Sequence, residues 1–399
     1  MTNFTSAVEK SVIVGAEAAF GTIAPANSGK LKTRVSLELN LTRDTYQSAR
    51  IDSSAQVTGM RSGINKIEGS FSDEVSCGEH AEFYAALLRG EWTTGGSTTS
   101  SAIGINGTTG VVTRGSGSWI TDGHKNGDVV TISGATTAGN NINVIISDLA
   151  ALTFKATPVN DAATLTTEAA GATITIALAG KKLIIPIALD DRTDKSFTFE
   201  QVYPSLSISD RFTGCKIESA SFDYKPSAMS TVEFSVLGKA KASESTQYFT
   251  SPASATTTSP LSGADGKLFT NGSMLGVATS LTADINGNLE AAECIGSRDA
   301  AAIFLGRIEI EGEVVTYFTD SVLADKFLNE QDVSIVWVQR GDDEDAFIQK
   351  FPRVRLGSAD VDDADTGGLS QTMSFNAILP DGTDNTWERS SIVFQDTTL

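Results

Sequence analysis

Apolar and polar residues alternate in short runs along most of the chain, which is the pattern of β-strands with one buried face. The segment 34–41 predicts such a strand, with its apolar side chains at Val35, Leu37, Leu39 and Leu41. Lys66–Val75 predicts the strand that returns beside it. The polar stretch between them, residues 42–65, predicts a loop longer than a hairpin turn, and such loops usually carry a function. Because helix-period stretches are rare, we predict a mainly β protein.

The order of predicted strands and helix in the first half of the chain recurs in the second half. Segment 66–89 is a strand followed by a short helix-like run, and 309–329 repeats it at an offset of 243. Three further pairs of segments follow the same order: Ser36-Leu37 with Ser280-Leu281, Lys216–Asp223 with Arg355–Asp362, and Thr231–Phe234 with Thr372–Phe375. We therefore predict two copies of one β-sandwich or barrel unit, each with a short helix.

The spacing of the repeat locates an insertion in the first copy. Tyr84 and Ile217 are 133 residues apart and their counterparts Phe327 and Leu356 are 29 apart, so the insertion has 133 − 29 = 104 residues. It opens with a Gly/Ser/Thr stretch typical of a flexible linker. Six short apolar runs, one of them containing Trp119, then predict a small all-β domain, Ig-like or a small barrel.

These observations predict the following domain organisation. The chain begins with an irregular arm over residues 1–30 and ends with a tail over 381–399. The predicted parts are a first unit at 1–92 and 190–250, an inserted domain at 93–189, a linker at 251–274, and a second unit with the tail at 275–399.

The charge excludes some classes of function. A formal net charge of −19 disfavours binding of nucleic acid through neutralisation of its phosphates. It equally disfavours binding to an anionic membrane surface. The three cysteines, Cys77, Cys215 and Cys294, are scattered and odd in number, which favours a reducing compartment during synthesis. The first residues show no signal peptide pattern, and no apolar run approaches membrane-spanning length.

Candidate chemistry is sparse. Only two histidines are present, His80 and His124, and neither has the context of a catalytic triad. Cys77 and His80 have metal-ligand spacing, but no second motif completes a site, so we predict no metal, no cofactor and no catalytic residue. The acidic clusters at 342–345 and 360–365 are typical of solvated loops.

Six segments carry a resemblance to a known family. They are the strand at 35–41, the polar loop after it, IEGSFSDE at 67–74, FYAALLRGEW at 83–92, GCKIESASFDYKPSAMSTVEFSVLGK at 214–239, and SLTADINGNLEAAECIG at 280–296. In order and spacing they resemble the major tail tube proteins of long-tailed, non-contractile bacteriophages, the siphoviruses. The insertion, with GDVVTISG at 127–134, resembles the small β domains that decorate some tail tubes on the outside.

The resemblance implies a structural virion protein and not an enzyme. Such proteins stack as rings into a hollow tube, strands of neighbouring subunits close an inner β-barrel, and viral DNA passes through it without specific binding. A ring usually holds six units, so a chain with two units implies a trimeric, pseudo-hexameric ring; a hexameric ring is the alternative. Implied partners are other copies of the chain, the tape measure, tail tip and terminator proteins, and a host surface reached by the insertion, with no membrane. The implied location is the virion tail, assembled in the host cytoplasm.

Two sets of residues are candidates for this function. An acidic lumen would repel DNA phosphates, and we expect the polar strand faces to line it, through Glu38, Glu68, Glu309, Glu311 and Glu313. The alternative is that these faces point to outer solvent. We expect the polar loop to reach the next ring through Arg43, Arg50, Asp52 and Arg61, and residues 293–302 to do so in the second copy.

Two other functions stay open from the residues alone. A non-enzymatic β-rich surface protein, such as a tail-fibre, capsid-decoration or adhesin-like protein, fits the insertion but explains the duplication less well. A tail-borne glycan hydrolase requires a pair of carboxylates in a cleft, and acidic residues are plentiful.

Overall fold

The computed structural model describes residues 6–51, 53–276, 278–319, 322–341, 345–362 and 368–399, and strands dominate it. Before the insertion the chain forms β1 (Ser11–Ala16), β2 (Lys30–Leu31), β3 (Ser36–Gln47), β4 (Met60–Glu74) and α1 (Ala81–Leu88). The insertion contains β5 (Ser97–Ser100), β6 (Ile103–Ile105), β7 (Val111–Arg114), β8 (Val129–Ser133), β9 (Asn143–Ser147), β10 (Thr153–Pro158) and β11 (Ile174–Leu178). There follow β12 (Lys181–Ile184), β13 (Phe197–Tyr203), β14 (Ile208–Tyr224), β15 (Thr231–Gly238) and β16 (Ala240–Glu244).

The second half of the chain repeats this order without an insertion. It contains β17 (Gly266–Thr270), β18 (Ser273–Met274), β19 (Ala278–Asn286), β20 (Glu290–Ala291), β21 (Ile303–Phe304), β22 (Glu309–Tyr317), α2 (Val322–Leu328), β23 (Val333–Arg340), β24 (Ala346–Leu356), β25 (Asp360–Asp362), β26 (Ser370–Ala377) and β27 (Val393–Asp396). Within the described residues, neither helix is long and apolar enough to cross a membrane.

One antiparallel sheet, here called the front sheet, runs through both halves of the chain. Its order is β3–β4–β15–β14 in the first half, then β19–β22–β26 in the second, and it ends with the last residues of β24 and with β25. The two halves join where β14 pairs with β19. The front sheet therefore continues from one half to the other without a break.

Two smaller sheets, here called the back sheets, lie behind the front sheet. The first is formed by β1, β13, the N-terminal part of β14, and β16. The second is formed by β17, β23, the N-terminal part of β24, and β27, with β12 added at its edge. The long strands β14 and β24 belong to both layers. A β-bulge between Ile217 and Ser219 helps β14 to bend from one layer into the other.

The strand register shows that the two halves are equivalent residue by residue. Leu37 is paired with Phe71 as Leu281 is with Val314, and the offset of 243 between β4 and β22 is the one that the sequence indicates. One sequence pair is wrong by two residues. Gly69 faces Val236 and Gly312 faces Phe375, so Thr231 corresponds to Ser370 and not to Thr372.

The main core lies between the front sheet and the back sheets, and α1 is inserted into it. Phe83, Tyr84 and Leu88 of α1 are almost fully buried among the aromatic side chains of both layers. The helix ends at Arg89, whose backbone is left-handed with a φ of 56° and whose guanidinium donates to the carbonyls of Gly287 and Gly306. Its counterpart α2 has no buried residue. Only the helix of the first half therefore contributes fully to the core.

The insertion forms a separate seven-stranded antiparallel sheet in the order β5–β11–β8–β9–β10–β7–β6. Trp119 is completely buried in its own core, 5.1 Å from the ring of Phe154. This domain packs against the second back sheet: Val129 and Ile145 contact Val336 and Ile348. The insertion is thus fixed to the second half of the chain, although it interrupts the first.

Several sequence expectations about local structure are wrong. Val35 precedes β3 and is 63% exposed, so it is not part of the strand's buried face. β3 and β4 extend far into the stretch read as a loop, and only residues 48–59 connect them. The extensions contain Tyr46, Met60 and Ile64 but no continuous alternation of apolar and polar residues, and that alternation is what identifies a strand in a sequence.

Three other segments also differ from expectation. The segment read as a flexible linker contains β5, whose Ser and Thr side chains have no apolar pattern. Ser118–Ile120 is a turn and not a strand. The N-terminal arm and the C-terminal tail contain β1 and β27, which belong to the back sheets: β1 pairs with β13, and β27 lies between β24 and β12. Their partners are distant in sequence, so no local pattern shows the pairing.

Candidate functional site: the acidic face of the front sheet

The five predicted lumen residues lie on one face of the front sheet. In β4 the core-facing residues are Ile67 and Phe71, so Glu68 between them points away from the core. In β22 the core-facing residues Ile310 and Val314 separate Glu309, Glu311 and Glu313 in the same way. Glu38 of β3 is opposite Ser70 of β4, and opposed residues point to the same side. The structure therefore brings all five together.

Further carboxylates lie in the same rows, and we call the whole surface the acidic face. Register pairs such as Ser221 with Asp284 and Asp284 with Glu311 carry the face from one half of the chain to the other. Its acidic residues are Glu38, Glu68, Glu74, Asp223, Glu233, Asp284, Glu309, Glu311, Glu313, Asp360 and Asp362. The basic residues of these rows among the described strands are Lys66, Lys216 and Arg355, and Lys216 is buried and paired with Asp194. The face therefore has a strongly negative potential.

Local contacts change this potential at few places. Arg307 forms an exposed ion pair with Glu309, and its hydrogen bond lowers the pKa of that carboxyl. Glu38, Glu68, Glu311 and Glu313 have no ion-pair partner among the described residues. Near Glu68, burial raises the pKa of Glu218 and the charge of Glu68 raises it further. The carboxylates are thus close enough to repel one another, and none of these contacts forms a reactive acid–base pair.

The insertion lies on the opposite side of the molecule from the acidic face. In the second back sheet, Ile335 and Phe351 point into the main core, whereas Val336 and Ile348 contact the insertion. The order of layers is therefore acidic face, front sheet, main core, second back sheet and insertion. Asp128 and Lys350 form an ion pair, completely shielded from solvent, across the last boundary. Gln395 Nε2 donates to the Val129 and Ala179 carbonyls at 2.7 and 2.9 Å.

The predicted inter-ring residues lie on or near one projecting hairpin. Arg43 and Arg61 are on β3 and β4, Arg50 is in the connection, and Asp52 lies outside the described residues. Arg43, Arg50 and Arg61 are all exposed, and Arg43 Nε donates to Asn65 Oδ1 at 2.5 Å. The predicted loop of the second half, residues 293–302, lies against the base of this hairpin, where Asn65 N donates to the Arg298 carbonyl at 2.7 Å.

The hairpin also carries apolar residues that the sequence analysis did not select. Tyr46, Ile51, Val57 and Met60 are each more than 60% exposed. Ile295 in the second loop is fully exposed as well. Exposed apolar residues in a projecting segment indicate a contact surface. In the sequence, these contact residues could have been recognised as large apolar residues within an otherwise polar stretch.

The cysteine and histidine residues with metal-ligand spacing are structural. His80 is fully buried, and its Nε2 lies 3.1 Å from Asp73 Oδ2. Burial lowers the pKa of His80 and strongly raises the pKa of the Cys77 thiol, so both side chains are uncharged at neutral pH. Lys32 joins the same region through ion pairs with Glu79 and Glu82. No group of three possible ligands in the described part of the chain could hold a metal ion.

Comparisons with known proteins agree with this arrangement. The family model described as "Phage tail tube protein" matches residues 9–377, which includes both halves and the insertion. A search of curated proteins finds no match. The family is one of structural proteins and not of enzymes. The chain belongs to the phage tail tube protein family.

Proposed function

We propose that three copies of this chain form one ring of the tube, each supplying two tail-tube units. The observation that carries the proposal is the equivalence of the two halves, which hold the same strands in the same register. The units are 1–92 with 190–250 and 275–399, with 93–189 as the outer domain and 251–274 as the connection. Because β17 takes the place in the second back sheet that β1 has in the first, Gly266–Thr270 would belong to the second unit.

In this ring the front sheets would form the inner wall and the acidic face would line the lumen. Proteins gain affinity for DNA when their basic residues neutralise phosphates and the condensed counterions are released into solution, and an acidic wall offers no such gain. Glu38, Glu68, Glu309, Glu311 and Glu313 would then keep DNA mobile during its delivery. The insertion would lie on the outside, because it is on the opposite side of the molecule. It would be free to contact a host surface.

Electron microscopy of the purified protein at high concentration tests the assembly. We expect hollow tubes or rings with three outer lobes. If a folded protein forms neither, even with a tail tip complex added as nucleator, the proposal is wrong.

Charge reversal tests the lumen. We expect Glu311→Lys tubes to retain double-stranded DNA at low salt, and the retention to decrease as salt rises. Asp148→Lys is the matched control, because Asp148 is an exposed residue of the insertion. Equal retention by the two variants would exclude the acidic face as the lumen wall.

The projecting hairpin would connect successive rings through Arg50 and its exposed apolar residues. We expect Arg50→Glu to shorten the tubes while single rings persist. Lys155→Glu, on an exposed position of the insertion, is the control and should leave tube length unchanged. Implied partners at the two tube ends are the tail tip and terminator proteins, with the tape measure protein inside, in a siphovirus tail assembled in the host cytoplasm.

A further inference from the structure

The junction between the two halves of the chain shows how the last strand of one unit can pair with the first strand of the next unit. The isolated chain lacks the corresponding contact at the two ends of its front sheet. At this junction β14 and β19 are antiparallel, with Ser219 opposite Asn286 and Ser221 opposite Asp284. Phe222 and Ala283 face each other on the core side, and both are almost completely buried. The last strand of one unit is thus joined to the first strand of the next through backbone pairing and a shared core.

The register identifies the residues that correspond to this junction at the two ends of the front sheet. Asp360 faces Thr372 in the way that Ser221 faces Glu233, so β25 and the two residues before it correspond to the C-terminal part of β14. At the other end, β3 corresponds to β19, because Leu37 faces Phe71 as Leu281 faces Val314. The ends of the front sheet are therefore the same two strand types that meet in its middle.

Among the described strands, both end strands have an edge without a strand partner. On β3 the side chains of Lys10 and Gln201 donate to the Leu37 and Leu39 carbonyls at 3.1 and 3.4 Å, and an added strand would replace these two donors. In the described part of the chain, β25 pairs with β26 alone and β3 with β4 alone. The side chain at the core position shows the effect: Val361 is 47% exposed, whereas its equivalent Phe222 is 1% exposed. An open edge with an exposed apolar residue is a site for strand addition.

We infer that 358–362 of one chain pairs with β3 of the next chain in the register of the internal junction. This inference rests on the proposed ring. The internal pairs Ser219–Asn286, Ser221–Asp284 and Asp223–Thr282 define three pairs between chains. They are Ser358 with Thr42 of the next chain, Asp360 with Asn40 of the next chain, and Asp362 with Glu38 of the next chain. Every unit in the ring then makes the same strand contact with its neighbour.

The core side of this contact is complementary in size. At the internal junction a large residue faces a small one, Phe222 opposite Ala283 and Ala220 opposite Ile285. Between chains, Val361 is opposite Leu39 and Ala359 is opposite Leu41 of the next chain. Val361 is smaller than Phe222 and Leu39 is larger than Ala283, so the two changes compensate in volume. Pairing would bury the exposed Val361.

On the polar side, the contact between chains differs from the internal junction at one pair of residues, and this difference affects assembly. The internal junction has Thr282 opposite Asp223, whereas the contact between chains has Glu38 opposite Asp362. Like charges directly opposite each other weaken a strand pair. Asp360 and Asn40, the next pair along, carry a single negative charge between them. The contact between chains is therefore the weaker of the two and is strengthened by salt, which screens the repulsion.

Cysteine pairs test the register on the full chain. In a Cys294→Ser background, a chain with Asn40→Cys is mixed with a chain with Asp360→Cys and oxidised under assembly conditions. Cys77 and Cys215 are buried and do not compete. The control for the chemistry is Ser221→Cys with Asp284→Cys in one chain, which reproduces the same pair at the internal junction. The control for register mixes a chain with Asn40→Cys and a chain with Ser358→Cys. In the proposed register, Ser358 is opposite Thr42 and not Asn40, so these two cysteines would be diagonal neighbours.

We expect covalent dimers from the direct pair at least about tenfold faster than from the diagonal pair, because a disulfide requires closely placed Cβ atoms. We also expect Glu38→Thr, which copies the internal junction, to lower the protein concentration required for assembly and to reduce its dependence on salt. Tubes or rings in the microscope without a preference for the direct pair would overturn the register and leave the proposed function intact. A chain that gives the internal disulfide but forms neither tubes nor rings, even with the nucleator, would contradict the proposed function itself.

Discussion

The ion pair that fixes the insertion to the second half offers a quantitative test of the layered arrangement. Asp128 and Lys350 are 0% and 1% exposed, and they join β24 to the residue before β8. Asp128 also accepts a hydrogen bond from the Lys125 backbone N–H at 3.0 Å. Lys350→Met removes the cation and leaves the carboxylate in the interface. Removing one partner of a buried pair costs about 3–5 kcal/mol when the remaining charge is unpaired. Asp128 would keep only the charge of Lys182 and the backbone hydrogen bond from Lys125, so we expect a loss towards the lower end of this range.

The contribution of Asp128 to stability changes with pH in opposite directions in the wild type and in Lys350→Met. Burial acts to raise the pKa of Asp128, but the charges of Lys350 and Lys182 overcome it, and the net pKa is lowered. In the wild type, this group stabilises the fold above the unfolded pKa of about 3.9, and the contribution is lost as pH falls. In Lys350→Met, burial dominates and the pKa rises. The penalty at neutral pH should therefore decrease as pH falls through the raised value.

Amide hydrogen exchange measures the effect at the right place. We expect Lys350→Met to speed exchange in β8 and β9, which form the interface, and to leave β4 and β15 of the first half unchanged. Asp128→Leu combined with Lys350→Met should recover most of the loss, since an apolar pair carries no buried charge. Arg307→Met, which breaks an exposed ion pair, should change exchange little. Unchanged exchange in β8 for Lys350→Met would refute the reasoning.

Three further experiments test the core, the front sheet and the buried histidines. Tyr84→Ala should lower the free energy of unfolding by about 3–5 kcal/mol, whereas Tyr84→Phe should not lower it, because the hydroxyl has no hydrogen-bond partner among the described residues. Gly69→Ala should cost about 3 kcal/mol or more in urea unfolding, since a Cβ there would lie 1.8 Å from the Glu38 carbonyl oxygen; Gly59→Ala, with 3.9 Å of space, should cost far less. Burial lowers the pKa of His80 and His124, so the unfolded chain takes up their protons first as pH falls. The free energy of unfolding should therefore decrease as pH falls below the unfolded histidine pKa of about 6.5, and a flat profile there would contradict this.

The sequence predicted the repeat because two features of the fold are local. Gly69 and Gly312 occupy equivalent places where the neighbouring strand leaves no room for a side chain, with backbone oxygens 1.8 and 2.4 Å from an added Cβ. Alternation around them then aligned β4 with β22. The error of two residues at β15 and β26 also has a physical cause, because a slip of two residues keeps every side chain on its own face.

The sequence could not predict how distant segments meet. β1, β12 and β27 are short strands whose partners are far away in the chain, and nothing in their composition identifies those partners. The same is true of the acidic face. Alternation placed Glu68 and Glu311 on polar strand faces, but only the β14–β19 pairing shows that these faces form one surface. The ion pair between Asp128 and Lys350 joins residues that carry no motif.

Cryo-electron microscopy of assembled tubes tests the central claim most directly, through the number of chains in each ring. We predict three chains with pseudo-sixfold symmetry, an inner wall formed by the front sheets with the acidic face towards the lumen, and three insertions on the outside. A ring of six complete chains, or a wall in which the acidic face points outward, would contradict the account.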